Sequence, residues 1–378
     1  MKVVYFVHDL NDPAVHRRIQ MLRAADVDVT LLGFSRGAPP AGLEANCLGH
    51  TQGGRLGQRV AAVLRAALTM RHWRNALIGA DVILARQLET LVLANRARDQ
   101  TAPNARLIYE CLDVHRLMVD PGPKGRLLRL LEARLLRRCE GLIVSSPEFI
   151  RSHFAARYRD LPPVHLVENK VLGCEVGGKR ELEPMRGVAR PAGPPWRIGW
   201  FGVIRCQRSL DLLAALVRSQ RGKVEVIIRG RIARDVLPDF DTVIASTPGL
   251  RYLGPYDRRN ELGTIYRGVH FAWAIDYFEA GANSDWLLPN RIYEGGLFGA
   301  IPIARNGCAT AAWLQGNGIG VILDGDPEPA LTAFFGTLDQ ARTDHLTSVI
   351  RTRPLETFLY TDKDCADLMQ AVVSTGRS

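Results

Sequence analysis

Three ionisable side chains, Glu110, Asp113 and His115, fall within six residues of this chain, at the end of the apolar run Leu107–Tyr109. A carboxylate or imidazole held just past a strand can take the proton of a hydroxyl group. Asp113 is the candidate base, with His115 as its orienter or substitute; the plainer reading is a turn-capping Asp beside a surface His. His8 and Asp9 follow the first apolar run, Val3–Val7, and form a second pair of candidates. Asp12 reads as the cap of a helix that Pro13 begins. Anion chemistry is signalled elsewhere, in W-F-G-V-I-R-C-Q-R-S from Trp200 to Ser209. There Gly202 permits close backbone approach, and the helix start that follows favours negative charge. Arg205 and Arg208 offer charge-assisted hydrogen bonds. The stretch Asp285–Arg305 adds Asn290, Arg291 and Glu294 in a short amphipathic segment before the strand-like run Ile301–Ala304. A carboxylate in that place can take both hydroxyls of a ribose. Tyr277–Asp285, glycine-rich and polar, reads as a loop after a strand, of the kind that surrounds a sugar.

The segment D-W-L-L-P-N-R-I-Y-E-G-G-L-F-G-A-I-P-I-A-R resembles the sugar-nucleotide site of GT-B glycosyltransferases, especially the family-four-like ones. Met1–Arg36, Tyr109–His115, Ser145–Pro147 and Glu168–Lys170 resemble bacterial exopolysaccharide glycosyltransferases of the succinoglycan-biosynthesis type. The order and spacing of these short motifs, which span most of the chain, carry the resemblance. It implies an α/β GT-B fold of two doubly wound Rossmann-like domains with parallel sheets facing across a cleft. It implies a donor site at Gly202, Arg205, Arg208, Tyr277, Asn290, Arg291 and Glu294, and a base from the N-terminal domain, chosen from Asp113, His115, Asp9 and His8. The implied reaction moves a hexose, glucose as first choice, from a UDP-linked donor to a lipid-linked oligosaccharide, with no metal or other cofactor. Family-four enzymes place an Arg right after the glycine and a Lys five residues later; here Val203 and Arg208 stand at those positions. Retaining members carry two Glu eight residues apart, and Trp286 stands at the earlier position here, which favours inversion. Two alternatives stay inside the class: a retaining transferase, and a sugar-nucleotide epimerase, which needs dense carboxylates around the sugar. A nucleic-acid-binding protein is suggested by charge alone.

Composition bounds these readings. The chain has 378 residues, 47% apolar and 23% charged, as in an ordinary globular protein large enough for two domains. It contains no run of eighteen apolar residues, so a spanning helix is not expected. Seven scattered cysteines without a C-x-x-C signal neither a zinc site nor a disulfide framework, and reduced thiols in the cytoplasm are expected. The net charge of +10 is uneven: residues 1–175 hold 25 basic and 17 acidic side chains, the remainder 24 and 22. Arginines interleave with leucines over Arg55–Arg74 and Arg126–Arg138, reading as two basic amphipathic helices. Such helices suit an anionic membrane surface, here the inner face of the plasma membrane. Aromatic interleaving is lacking, which argues against nucleic acid.

The elements that must position these residues alternate. Strands are predicted at Val3–Val7, Val29–Phe34, Val82–Ala85, Leu107–Tyr109, Gly141–Val144 and Val164–Val167, with helices at Pro13–Ala24, Arg59–Met70, Lys124–Arg138 and Pro147–Ala156. Strands separated by helices imply right-handed crossovers and a parallel sheet covered on both faces. The alternation breaks at Gly173–Pro195, rich in Gly, Pro and charge, and resumes at Arg197. The expected organisation is an acceptor-binding domain over 1–175, a linker over 176–195, a nucleotide-sugar-binding domain over 196–348, and a terminal helical segment over 349–378 returning to the first domain.

Overall fold

The computed structural model describes all residues except 38–43, 52–55, 177–181, 183–187, 189 and 375–378. The chain forms two compact units: Met1–Glu168 with Thr361–Ser378, and Asn169–Tyr360.

The first unit is built on seven strands: β1 (Lys2–Val7), β2 (Asp28–Ser35), β3 (Ala45–His50), β4 (Val82–Arg86), β5 (Arg106–Cys111), β6 (Gly141–Val144) and β7 (Val164–Leu166). They lie side by side as β3-β2-β1-β4-β5-β6-β7, and every pairing is parallel. Val3–Val7 and all of β4 are buried, as expected of central strands covered on both faces. The helix Pro13–Ala24 starts as the sequence dictates: the Asp12 carboxylate accepts from the Ala14 N–H at 2.9 Å. The helix Asp362–Ser374 packs against it. Cys365, Leu368, Met369 and Val372 are buried there, the i, i+3, i+4, i+7 spacing of a single apolar face. The segment expected as one helix at Pro147–Ala156 is a short helix, a π turn over Ile150–Phe154 and another short helix.

The second unit has a six-stranded parallel sheet. Its strands are β9 (Trp196–Ile204), β10 (Val224–Ile232), β11 (Leu250–Tyr252), β12 (Phe271–Trp273), β13 (Ile301–Arg305) and β14 (Val321–Leu323), in the order β11-β10-β9-β12-β13-β14. A separate parallel pair joins β8 (Val171–Leu172) to β15 (Leu359–Tyr360). That pair keeps residues 169–172 and 349–360 with the second unit, so the division differs at both ends from boundaries at 175 and 349. Eleven residues of the expected linker over 176–195 lie outside the described residues. Of the rest, Arg190 is held by the backbone carbonyls of Tyr266, Val269 and Phe298, which closes the ends of two helices. Among the described residues no helix is long and apolar enough to cross a membrane, and the six described cysteines are free thiols.

Candidate functional site

In the first unit the candidate residues gather where the neighbouring strands β1, β4 and β5 end, the edge at which open α/β sheets bind ligands. Glu110 is withdrawn from that edge. It is fully buried, takes Arg18 Nε at 2.7 Å and Arg86 Nε at 2.8 Å, and accepts the Tyr5 hydroxyl at 2.5 Å. Burial pushes its carboxyl up, but Arg86 and Arg18 more than reverse this and hold it at about 2. Arg86 also reaches Asp12 at 3.3 Å. The Glu110 network is therefore scaffold, tying β1, β4, β5 and the first helix together.

Asp113 and His115, two and four residues past β5, are both exposed and both line the same cavity. His115 Nδ1 accepts from the Leu117 N–H at 3.2 Å and caps a short helix. Desolvation against the cavity wall, with Arg59 nearby, lowers its pKa, so the ring is neutral at pH 7. Asp9 is engaged at both oxygens, by the Asn11 N–H at 3.1 Å and by Arg36 at 3.4 Å. His8 lies 3.9 Å from Asp12, and burial lowers its pKa.

The sequence reading passed over Glu89. It sits in the first turn of the helix Leu88–Thr101, directly after β4, and pairs with Arg59. Burial raises its carboxyl, but Arg59, His8 and a backbone hydrogen bond pull it below the usual range. The preceding Gln87 has φ 75°, a left-handed conformation that a residue with a side chain rarely adopts. His8, Glu89, Arg59 and His115 thus influence one another at one edge, with Asp113 on the same cavity. Arg59, expected to face a membrane, belongs to this edge.

The second unit holds two groups. In the first, Gly202 of β9 faces Gly230 of β10. Both have positive φ, and a Cβ on Gly230 would meet the Gly202 carbonyl oxygen at 1.8 Å, so two backbones approach as only glycines allow. The helix Gln207–Ser219 follows, and its cap, missed in the sequence, is a thiol: Cys206 Sγ accepts from the Ser209 and Tyr277 N–H groups, each at 3.4 Å. That brings Tyr277 to the helix start. Its ring lies between two guanidinium groups, Arg208 at 4.3 Å and Arg305 at 5.1 Å from the centroid. Its hydroxyl is buried with no hydrogen-bond partner among the described residues, a costly state unless a ligand meets it. Arg305, also missed, is anchored by Asp285, whose other oxygen accepts from the Gly281 N–H at 2.9 Å. Arg205 stacks on Phe278 at 4.7 Å rather than on Tyr277.

The second group surrounds Glu294, on the helix Asn290–Leu297 before β13. Pro289 is the N-cap, and Asn290 and Arg291 open the helix half-buried. Glu294, the carboxylate expected to take ribose hydroxyls, is largely enclosed. It is 4% exposed, its Oε1 takes Arg258 Nε at 3.0 Å, and its Oε2 accepts the Tyr266 hydroxyl at 3.1 Å. Arg258 in turn reaches Glu175 at 2.8 Å. The helix sits this deep because its next two residues are glycines: a Cβ on Gly296 would lie 2.2 Å from the Phe358 ring.

No family model matches the chain. It is 43% identical over 345 residues to the succinoglycan biosynthesis protein ExoL of Rhizobium meliloti (strain 1021), covering 89% of this chain and 85% of that protein. Anabaena HepE in complex with UDP superposes with a TM-score of 0.71 at 15% identity over the whole of both chains. Sucrose-phosphate synthase from Thermosynechococcus elongatus gives 0.73 at 13% identity, covering 99% of this chain and 98% of that one.

Proposed function

The chain belongs to the family of the succinoglycan biosynthesis protein ExoL and is a GT-B glycosyltransferase; from that premise we propose that it moves a glucosyl group from UDP-glucose to a lipid-linked oligosaccharide during exopolysaccharide assembly. The observation that carries the donor side is Tyr277, held between Arg208 and Arg305 with its buried hydroxyl unmet. Two cations, a free O–H donor and a helix start suit a diphosphate, whose charge grows as the sugar leaves. The UDP bound by HepE, a protein of the same fold, supports this assignment. In this reading the departing diphosphate is met by Arg208 and backbone N–H groups, without a metal. Glu294, held by Arg258 and Tyr266, stands in the wall of the nucleotide pocket, where its remaining lone pairs can accept a ribose hydroxyl.

The acceptor side belongs to the first unit, with Asp113 as general base. Trp286 in place of an earlier carboxylate, and Asp285 occupied by Arg305, favour inversion. The amphipathic helices Leu56–Leu68 and Pro123–Leu136 rest on the anionic inner face of the plasma membrane, where a lipid-linked acceptor is found.

Calorimetry with UDP-, GDP-, ADP- and TDP-sugars tests the donor. We expect UDP-glucose to bind, and Arg208→Ala to weaken it by roughly 1.5–3 kcal/mol, the worth of a hydrogen bond to a charged group. Equal, weak binding of all four nucleotides would remove the donor assignment. NMR of the product's anomeric carbon separates inversion from retention.

A further inference from the structure

A cavity of about 310 Å³ opens in the first unit between the helices Leu56–Leu68 and Pro123–Leu136. Val60, Val63, Leu64, Val92, Leu128 and Leu131 line it. Two observations separate it from an ordinary gap in a core. Val60 and Leu64, which line it, are also 51% and 60% exposed, so they form its lip. Beyond the lip Leu68, Leu127 and Leu130 are 79%, 67% and 69% exposed, which continues the apolar surface outward along both helices.

The polar groups that share the lining decide what kind of molecule fits. Glu132 is 2% exposed, and its carboxylate accepts from the Tyr109 hydroxyl at 3.0 Å, the Tyr158 hydroxyl at 2.5 Å and His153 Nε2 at 2.8 Å. A carboxylate so satisfied asks no hydrogen bond of a ligand, and the buried wall presents hydrocarbon. The other ionisable groups on the lining are Arg59 with Glu89, Asp113 and the neutral His115, the edge already assigned to the acceptor hydroxyl. Outside, Arg65, Arg126 and Arg134 are exposed on the same two helices, which favours a ligand whose head is anionic.

We propose that this cavity is a slot for the hydrocarbon chain of the lipid that carries the acceptor saccharide, with the anionic head at the arginine-bearing lip and the sugar at Asp113. The proposal rests on the reading that the acceptor is lipid-linked, and it adds that the enzyme grips the chain itself. Each methylene taken from water strengthens binding roughly fourfold, so the slot senses chain length.

The full chain is titrated with farnesyl diphosphate, geranyl diphosphate and inorganic diphosphate, and in parallel with UDP-glucose. Farnesyl diphosphate is expected to bind at least about tenfold more tightly than geranyl diphosphate. Val63→Trp, which fills the slot, is expected to remove at least about tenfold of that affinity, and Leu64→Gln a smaller part. Both variants should keep UDP-glucose binding and the wild-type unfolding temperature. Equal affinity for the three diphosphates, or an unchanged farnesyl affinity in Val63→Trp, overturns the slot. Flotation on anionic vesicles without any chain-length dependence assigns the leucines to a membrane surface only and also overturns it. So does a dimer in light scattering that Leu64→Gln dissociates, because the groove is then covered by a second copy. Farnesyl binding without nucleotide-sugar binding leaves the slot standing and removes the transferase reading.

Discussion

At the scale of single residues, the Tyr109–His115 segment shows how neighbours in sequence take unrelated tasks. Glu110 is a buried anion between two arginines, while Asp113, three residues on, is exposed on the cavity of the first unit. The first is expected to matter for stability and the second for rate. Glu110→Gln leaves Arg18 without its counter-charge and Arg86 with Asp12 alone, a change expected to cost about 3–5 kcal/mol in urea unfolding at pH 7. Because folding depresses the carboxyl from 4.5 to about 2, its contribution is complete above pH 4.5 and is lost as pH falls through 2. The advantage of the wild type over Glu110→Gln should shrink across that window, and a gap independent of pH would refute the ionic account. Asp113→Asn keeps shape and loses basicity, so kcat should fall by roughly 10²–10⁴ while UDP-glucose affinity holds. Normal turnover would pass the role to Glu89, Asp9 or His8.

At the scale of elements, the close approach of β9 and β10 shapes the proposed donor pocket. Gly230→Ala would place a side chain at φ 132° and 1.8 Å from the Gly202 carbonyl oxygen. The backbone penalty alone is about 1–3 kcal/mol, and donor affinity should fall with it, since Gly202 must move; a variant with wild-type stability and UDP-glucose binding would show that this crossing is relaxed. The strands and most helices were legible because their apolar periods are strong and local. Pro13–Ala24 was placed to the residue, helped by Asp12 as its cap. The helix Leu88–Thr101 was missed because its cap residue, Gln87, makes no side-chain hydrogen bond and takes a left-handed backbone. β3 was missed because it is an edge strand of half-buried residues with no apolar alternation. The site was legible only as single residues. Arg258 and Tyr266 lie 36 and 28 residues from Glu294, and nothing local to Glu294 reveals that they occupy it. The unmet hydroxyl of Tyr277, which follows β12, likewise depends on Cys206 and Arg208 after β9 and on Arg305 at the end of β13.

At the scale of the whole molecule, the first unit is discontinuous in sequence, completed by the helix Asp362–Ser374. Val15, Ile19 and Leu22 of the helix it packs against are buried, as are Cys365, Leu368, Met369 and Val372 of its own face. Ending the chain after Tyr360 removes that cover while leaving every strand of both sheets. The expected result is a protein whose first unit melts earlier and binds an apolar dye, with UDP-glucose affinity of the second unit retained. A truncated chain with an unchanged melting profile would show that the terminal helix is dispensable.

The same discontinuity sets an order of birth. Residues 169–360 leave the ribosome as one uninterrupted block and can fold as soon as they emerge. The first 168 residues, although made earlier, wait for the helix at 362–374 before their apolar face is covered. During that interval the side of the helix Pro13–Ala24 that the terminal helix covers stays open to chaperones, so maturation runs from the later-made unit back to the earlier one. A polymerase error or premature stop near the end of the message therefore damages the part that was synthesised first.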